Sequence, residues 1–236
     1  MKTAAQVIIF ISDDVDGGLS TAIIDGLLSN SLKTSKELFD LSLDGYGIKD
    51  TTASGNITHF IDSTGRPQVS ILVLQKYESP VLACAINEVL SSLVVEDTST
   101  MPTLILPFIL DSSKIKMEMK NAADADNVFG IQIGPQTDTL QTLAKRHETA
   151  PSSMQIHHEP LCTALQLVRV LKTPTCILVG QIGHRRTPGD DLEVICKIGE
   201  TLASVSSLRF VKEIVTWNPT KMSKEQEKEP WRALYG

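Results

Sequence analysis

Short apolar runs rich in β-branched residues alternate along this chain with longer segments of helical spacing, the pattern required by a sheet covered with helices. Strands are expected at Gln6 to Ile11, Glu37 to Leu43, Asn56 to Ile61, Gln68 to Leu74, Thr103 to Phe108, Val128 to Ile133 and Thr175 to Val179. Several of these runs are apolar throughout, which signals burial on both faces and therefore parallel pairing between layers of helices. The helices expected around them are Leu19 to Ser29, Pro80 to Val94, Thr137 to Arg146, Pro160 to Leu171 and Gly189 to Val205. In the second helix, Ser79 is placed to cap a first turn that begins at Pro80, where proline's missing N–H costs nothing. Leu82, Ile86, Val89, Leu90 and Leu93 supply its apolar stripe. Pro174 ends the fourth helix and feeds the strand after it. From Asp44 to Ile48, through Ser54-Gly55-Asn56, to Gly65-Arg66-Pro67, turn residues surround short strands, so an antiparallel extension of the sheet is expected there.

Composition fixes the class. The chain has 236 residues, 42 % of them apolar and 21 % charged, enough for one sizeable core at roughly 100–200 residues per domain. The expected architecture is a single α/β domain over residues 1–215, a mostly parallel sheet flanked by helices. Residues 216–236 are expected to form a flexible tail, because Pro219, Lys221, Lys224, Glu225, Glu227, Lys228 and Glu229 cannot bury much apolar surface. Yet the tail finishes in Trp231-Arg232-Ala233-Leu234-Tyr235-Gly236, an apolar hook on a solvated line that suggests docking. A net charge of −6 opposes binding to a phosphate backbone, so nucleic acid is not an expected partner. The four cysteines lie far apart and read as reduced core thiols. The apolar run Val7 to Ile11 is too short for a signal-peptide core or a membrane span. Cytosol or nucleus is the expected compartment, with no membrane partner.

Three clusters invite a chemical reading. Asp13-Asp14-Val15-Asp16-Gly17-Gly18 lies between a strand and a helix, where α/β folds often hold phosphate, but its carboxylates would repel one. Neither a Gly-x-Gly-x-x-Gly fingerprint nor a P-loop ending is present there, and the EF-hand pattern is missing, so no nucleotide cofactor or metal is expected. His157-His158-Glu159-Pro160, with Cys162 close by, resembles a metal cluster; adjacent histidines point different ways, and a solvated loop before a helix is the expectation. His59, His147 and His184 are isolated in sequence, so they define no catalytic triad, and no nucleophile elbow occurs. Gly180-Gln181-Ile182-Gly183-His184-Arg185-Arg186 follows a strand, and Gly180, Gly183, Arg185 and Arg186 form a candidate anion loop at the sheet's C-terminal edge.

Pro160-Leu161 with the apolar helix after it, Leu171-Lys172-Thr173-Pro174 leading into Cys176 to Val179, and the helix through Asp191 to Leu202 resemble the later part of the proteasome assembly chaperone 1 family. The ending Leu234-Tyr235-Gly236 fits the family's HbYX motif: a hydrophobic residue, tyrosine, any residue and a free carboxylate. The resemblance covers mainly Pro160 to Phe210 and the last three residues. It implies an α/β sandwich loosely related to nucleoside phosphorylases but without their activity or a cofactor. It further implies a heterodimer with a chaperone like proteasome assembly chaperone 2, and a role in gathering proteasome α subunits into a ring. Tyr235 and the Gly236 carboxylate would enter a pocket between α subunits. The alternative is an enzyme of phosphorylase-like fold, binding phosphate or a nucleoside through the Gly180 to Arg186 loop with the Asp13 to Gly18 loop nearby.

Overall fold

The computed structural model describes residues 1–11, 18–29, 31–94, 101–116, 127–182, 188–215 and 217. Every residue of Gln6–Phe10 (β1) is buried, and a strand with no solvent face belongs inside a sheet covered on both sides. β1 accordingly pairs in parallel with Pro67–Leu74 (β5) on one side and Thr103–Asp111 (β6) on the other. β6 pairs in parallel with Thr175–Ile182 (β11). Antiparallel strands flank this centre. Lys33–Ser42 (β3) pairs with Thr52–Ile61 (β4), and β4 with β5, giving the antiparallel extension expected from the turn residues. Val128–Ile133 (β8) runs antiparallel to β11 and carries the two-residue Glu148–Thr149 (β9) in parallel. Among the described residues the main sheet has eight strands in the order β3-β4-β5-β1-β6-β11-β8-β9. Leu27–Leu28 (β2) pairs with Arg209–Phe210 (β12), and Ile115–Lys116 (β7) with Gln155–Ile156 (β10), as separate short ribbons.

Strand alternation splits the core into two layers. Val7, Ile9, Leu104, Leu106, Phe108, Ile177 and Val179 face one side, under Val81–Leu93 (α2) and Glu159–Leu171 (α4). Ile8, Phe10, Ile105, Cys176 and Leu178 face the other, under Leu19–Gly26 (α1), Asp138–Ala144 (α3) and Pro188–Ser206 (α5). The result is one α/β domain with a mostly parallel sheet between two helical layers. No helix among the described residues is long and apolar enough to cross a membrane.

Two helix ends depart from the expectation. α2 starts at Val81 with Pro80 itself at the cap position and no side-chain cap. Ser79 does not cap it; the Leu82 N–H instead donates to the Glu78 carbonyl at 3.0 Å. α1 stops at Gly26 rather than Ser29 because Leu27 and Leu28 are drawn into the ribbon with β12. That ribbon lays Phe210 against Gly26 of α1 and Gly199 of α5, and a Cβ at either glycine would run into the phenyl ring.

Candidate functional site

Strands β5, β1, β6 and β11 point the same way, so their C-terminal ends share one edge of the sheet, the edge where open α/β folds hold ligands. The helix after β1 lies on the α1/α5 face and the helix after β5 on the α2/α4 face. The chain therefore diverges between β1 and β5, a topological switch point. Both loops singled out in the sequence leave from this edge. Their parent strands β1 and β11 are separated by β6 alone, roughly 10 Å at about 4.8 Å per strand. Of the two segments, Gly18 is described, and so are Gly180, Gln181 and Ile182, which form the end of β11 rather than a loop. Asp13, Asp14, Val15, Asp16, Gly17, Gly183, His184, Arg185 and Arg186 lie outside the described residues, and so do Leu234, Tyr235 and Gly236.

Gly18 is extended at the start of α1, where its carbonyl accepts the Ala22 N–H at 3.2 Å. Gly180 has a packing cause of its own. It lies within β11 beneath α5, and a Cβ there would sit 2.7 Å from Val194 Cγ1 and 2.9 Å from Ile198 Cδ1. Across from Ile182, the last residue of β11, stands Asp111, whose carboxylate accepts the Ser113 N–H at 2.8 Å. An anion held close to this strand end would meet that carboxylate as a like charge.

The histidines divide by environment. His59 Nδ1 lies 2.9 Å from Ser70 Oγ, a Ser–His contact across β4 and β5 that isolated sequence positions could not reveal. Both residues are buried, and the same Oγ accepts the Ala4 N–H at 2.9 Å, so the hydroxyl serves the sheet. His157 is exposed, as expected for a solvated loop, whereas His158 is packed inward, its ring edge-on to Phe108 with centroids 5.9 Å apart. Burial, and secondarily the Lys114 charge, pushes His158 down to about 4. His147 is buried beside Gly130, its pKa lowered by burial and then by Arg146, and neither ring nitrogen has a hydrogen-bond partner among the described residues. Burial pushes the Cys176 thiol up to about 12, so it stays protonated. Cys162 donates its S–H to the Ile156 carbonyl at 3.5 Å. Among the described residues no group of three His, Cys, Asp or Glu side chains is placed to hold a metal ion.

A polar cluster at the C-terminal edge of the sheet was not foreseen. The Tyr77 hydroxyl accepts the Ser54 N–H and donates to the Thr52 carbonyl, each at 2.7 Å. Ser54 Oγ donates to Gln75 Oε1 at 3.0 Å. Nearby, the Tyr46 hydroxyl accepts from Asn87 at 2.8 Å and donates to Glu88 at 3.1 Å. Tyrosines in turn-rich polar sequence were the available signal. Their hydroxyls tie the β3–β4–β5 meander to the loop before α2 and to α2 itself, which positions the edge rather than offering a nucleophile or a base.

Residues 1–236 match the model of a family described as "Domain of unknown function (DUF7894)". No curated protein matches the chain. Among solved structures, PbaB of Pyrococcus furiosus, an archaeal proteasome activator, has a similar fold. It is 10 % identical, the match covers 100 % of this chain and 96 % of PbaB, and the TM-score is 0.52. Two looser likenesses have TM-scores of 0.46. One is the Mycobacterium tuberculosis proteasome-assembly chaperone homologue Rv2125, 9 % identical over 98 % of this chain and 100 % of that one. The other is an MTA/SAH nucleosidase, 12 % identical over 86 % of this chain and 95 % of that one.

Proposed function

The chain belongs to the DUF7894 family, and from that starting point we propose that it is a non-catalytic proteasome assembly chaperone subunit. In this reading it pairs with a chaperone like proteasome assembly chaperone 2 and helps gather proteasome α subunits into a ring, in the cytosol or nucleus. Leu234, Tyr235 and Gly236 dock between α subunits. The observation that supports this most is the combination of a fold shared with the proteasome activator PbaB along the whole chain and the sequence Leu-Tyr-Gly at residues 234–236. Physically, a short tail entering a preformed pocket buries one aromatic ring and pairs one carboxylate. Alone that contact is weak, and it becomes useful by avidity once the globular body also touches the target.

The competing reading is a phosphorylase-like enzyme, favoured by the departure of the 13–18 and 180–186 loops from one sheet edge. An affinity pull-down from cell extract separates the two, using the full chain beside Tyr235→Ala and a chain lacking residues 234–236. Proteasome α subunits and a second chaperone should be recovered with the full chain, and the α subunits should weaken in both variants while the chaperone persists. Recovery of neither, together with a melting temperature raised by phosphate or a nucleoside, would replace the chaperone with the enzyme.

A further inference from the structure

Among the described residues, the outer edge of β3 is the longest unpaired strand edge of the sheet: ten residues with β4 on one side and no described strand on the other. Such an edge is a template for pairing with another chain unless something blocks it. Phe39 is buried against the α2/α4 layer, so the alternate residues Thr34, Lys36, Leu38, Asp40 and Ser42 share the opposite face. Leu38 is 83 % exposed at the centre of that face, the most exposed large apolar side chain among the described residues. Lys36 and Asp40, two residues to either side, are exposed too.

We propose that β3 pairs with β3 of a second copy of this chain, antiparallel and centred on Leu38, joining two sheets across a twofold axis. The order of charges selects this occupant and this register. With Leu38 opposite Leu38 of the second copy, each Lys36 lies opposite the other copy's Asp40, and Thr34 lies opposite Ser42. Directly opposed residues have Cβ atoms about 5 Å apart, so both junctions form opposite-charge pairs and the two leucines cover one another. A parallel copy in register would instead oppose lysine to lysine and aspartate to aspartate. Edge charges placed only to prevent aggregation would gain nothing from this order. The twofold arrangement also closes, using up both edges rather than propagating a fibre. This pairing does not depend on the tail reading, and it leaves both helical layers open to other chains.

The test is sedimentation of the full chain across concentration, with far-UV circular dichroism to confirm folding of each variant. The wild-type chain should dimerise. K36D and D40K should each weaken the dimer about tenfold or more, since each turns both attractive junctions repulsive. The double variant K36D/D40K should recover it, and an equimolar mixture of the two single variants should form a mixed dimer that neither forms alone. As an independent readout, L38C should oxidise to a disulfide-linked dimer, whereas T34C should not, because only position 38 meets itself. A chain that stays monomeric at high concentration, or a dimer indifferent to both charge reversals, would overturn the proposal.

Discussion

Gly180→Ala adds a single methyl group at the point where β11 meets α5. Its Cβ would lie 2.7 Å from Val194 Cγ1, 2.9 Å from Ile198 Cδ1 and 3.5 Å from Ile109 Cγ1. Carbon atoms prefer about 3.5–4.0 Å, so the first two neighbours must each retreat by roughly 1 Å. Ile198 can swing its terminal methyl. Val194 branches at Cβ and has essentially one comfortable χ1 in a helix, so α5 itself has to lift. Overpacking of this kind costs roughly 1–3 kcal/mol, and removing a strand glycine returns about 0.5–1 kcal/mol. The expected net loss is about 1–2 kcal/mol, which for a chain of this size lowers Tm by roughly 2–8 °C. Urea unfolding should show a lower midpoint at unchanged slope. Val194→Ala makes room for the new methyl, so the double variant should be more stable than the sum of the single losses by about 1 kcal/mol. Additive losses, or a G180A chain as stable as wild type, would refute the packing argument. If Gly180 serves packing alone, G180A should also leave any phosphate-induced shift in Tm unchanged.

Ser70→Ala removes the buried hydroxyl shared by the Ala4 N–H and His59, and should cost about 2 kcal/mol in urea unfolding because a buried amide loses its acceptor. His158 provides a pH test. Its folded pKa of about 4 lies below an ordinary 6.5, so within that window the unfolded chain holds more protons. The stability contributed by the neutral ring is complete above pH 6.5 and is lost as pH falls from there through about 4, by up to ~3 kcal/mol. His158→Asn should flatten that part of the stability profile, while the lowered pKa of His147 leaves a remainder of the same sign.

Where apolar spacing set the pattern, the sequence was readable: the α2 stripe of Leu82, Ile86, Val89, Leu90 and Leu93 is buried throughout. It failed where partners decide. β3 begins at Lys33, four residues before the expected strand, because an edge strand buries little and Lys33-Thr34-Ser35-Lys36 has no apolar signal of its own. β6 and β11 run three residues beyond the expected ends at Phe108 and Val179, since Ile109 to Asp111 and Gly180 to Ile182 pair with one another. The burial of His158 depends on Phe108, fifty residues earlier, and the role of Gly180 depends on Val194 in a later helix. The strand–helix alternation put the strands that precede both candidate loops, β1 and β11, with their ends at one edge. Side-chain detail there was invisible, because Tyr77 acts through backbone groups of a neighbouring strand.

Near its end the chain is held at one place on the body. Phe210 fits between the glycines of α1 and α5, and Trp217 packs on the same layer. Nineteen residues follow Trp217, and covalent geometry allows each at most about 3.3–3.6 Å of advance. A tether of that length can reach at most roughly 65 Å from Trp217. A partner that takes Tyr235 therefore has to stand within that reach, and the packing of Phe210 and Trp217 on the α1/α5 layer sets the point from which the reach is measured.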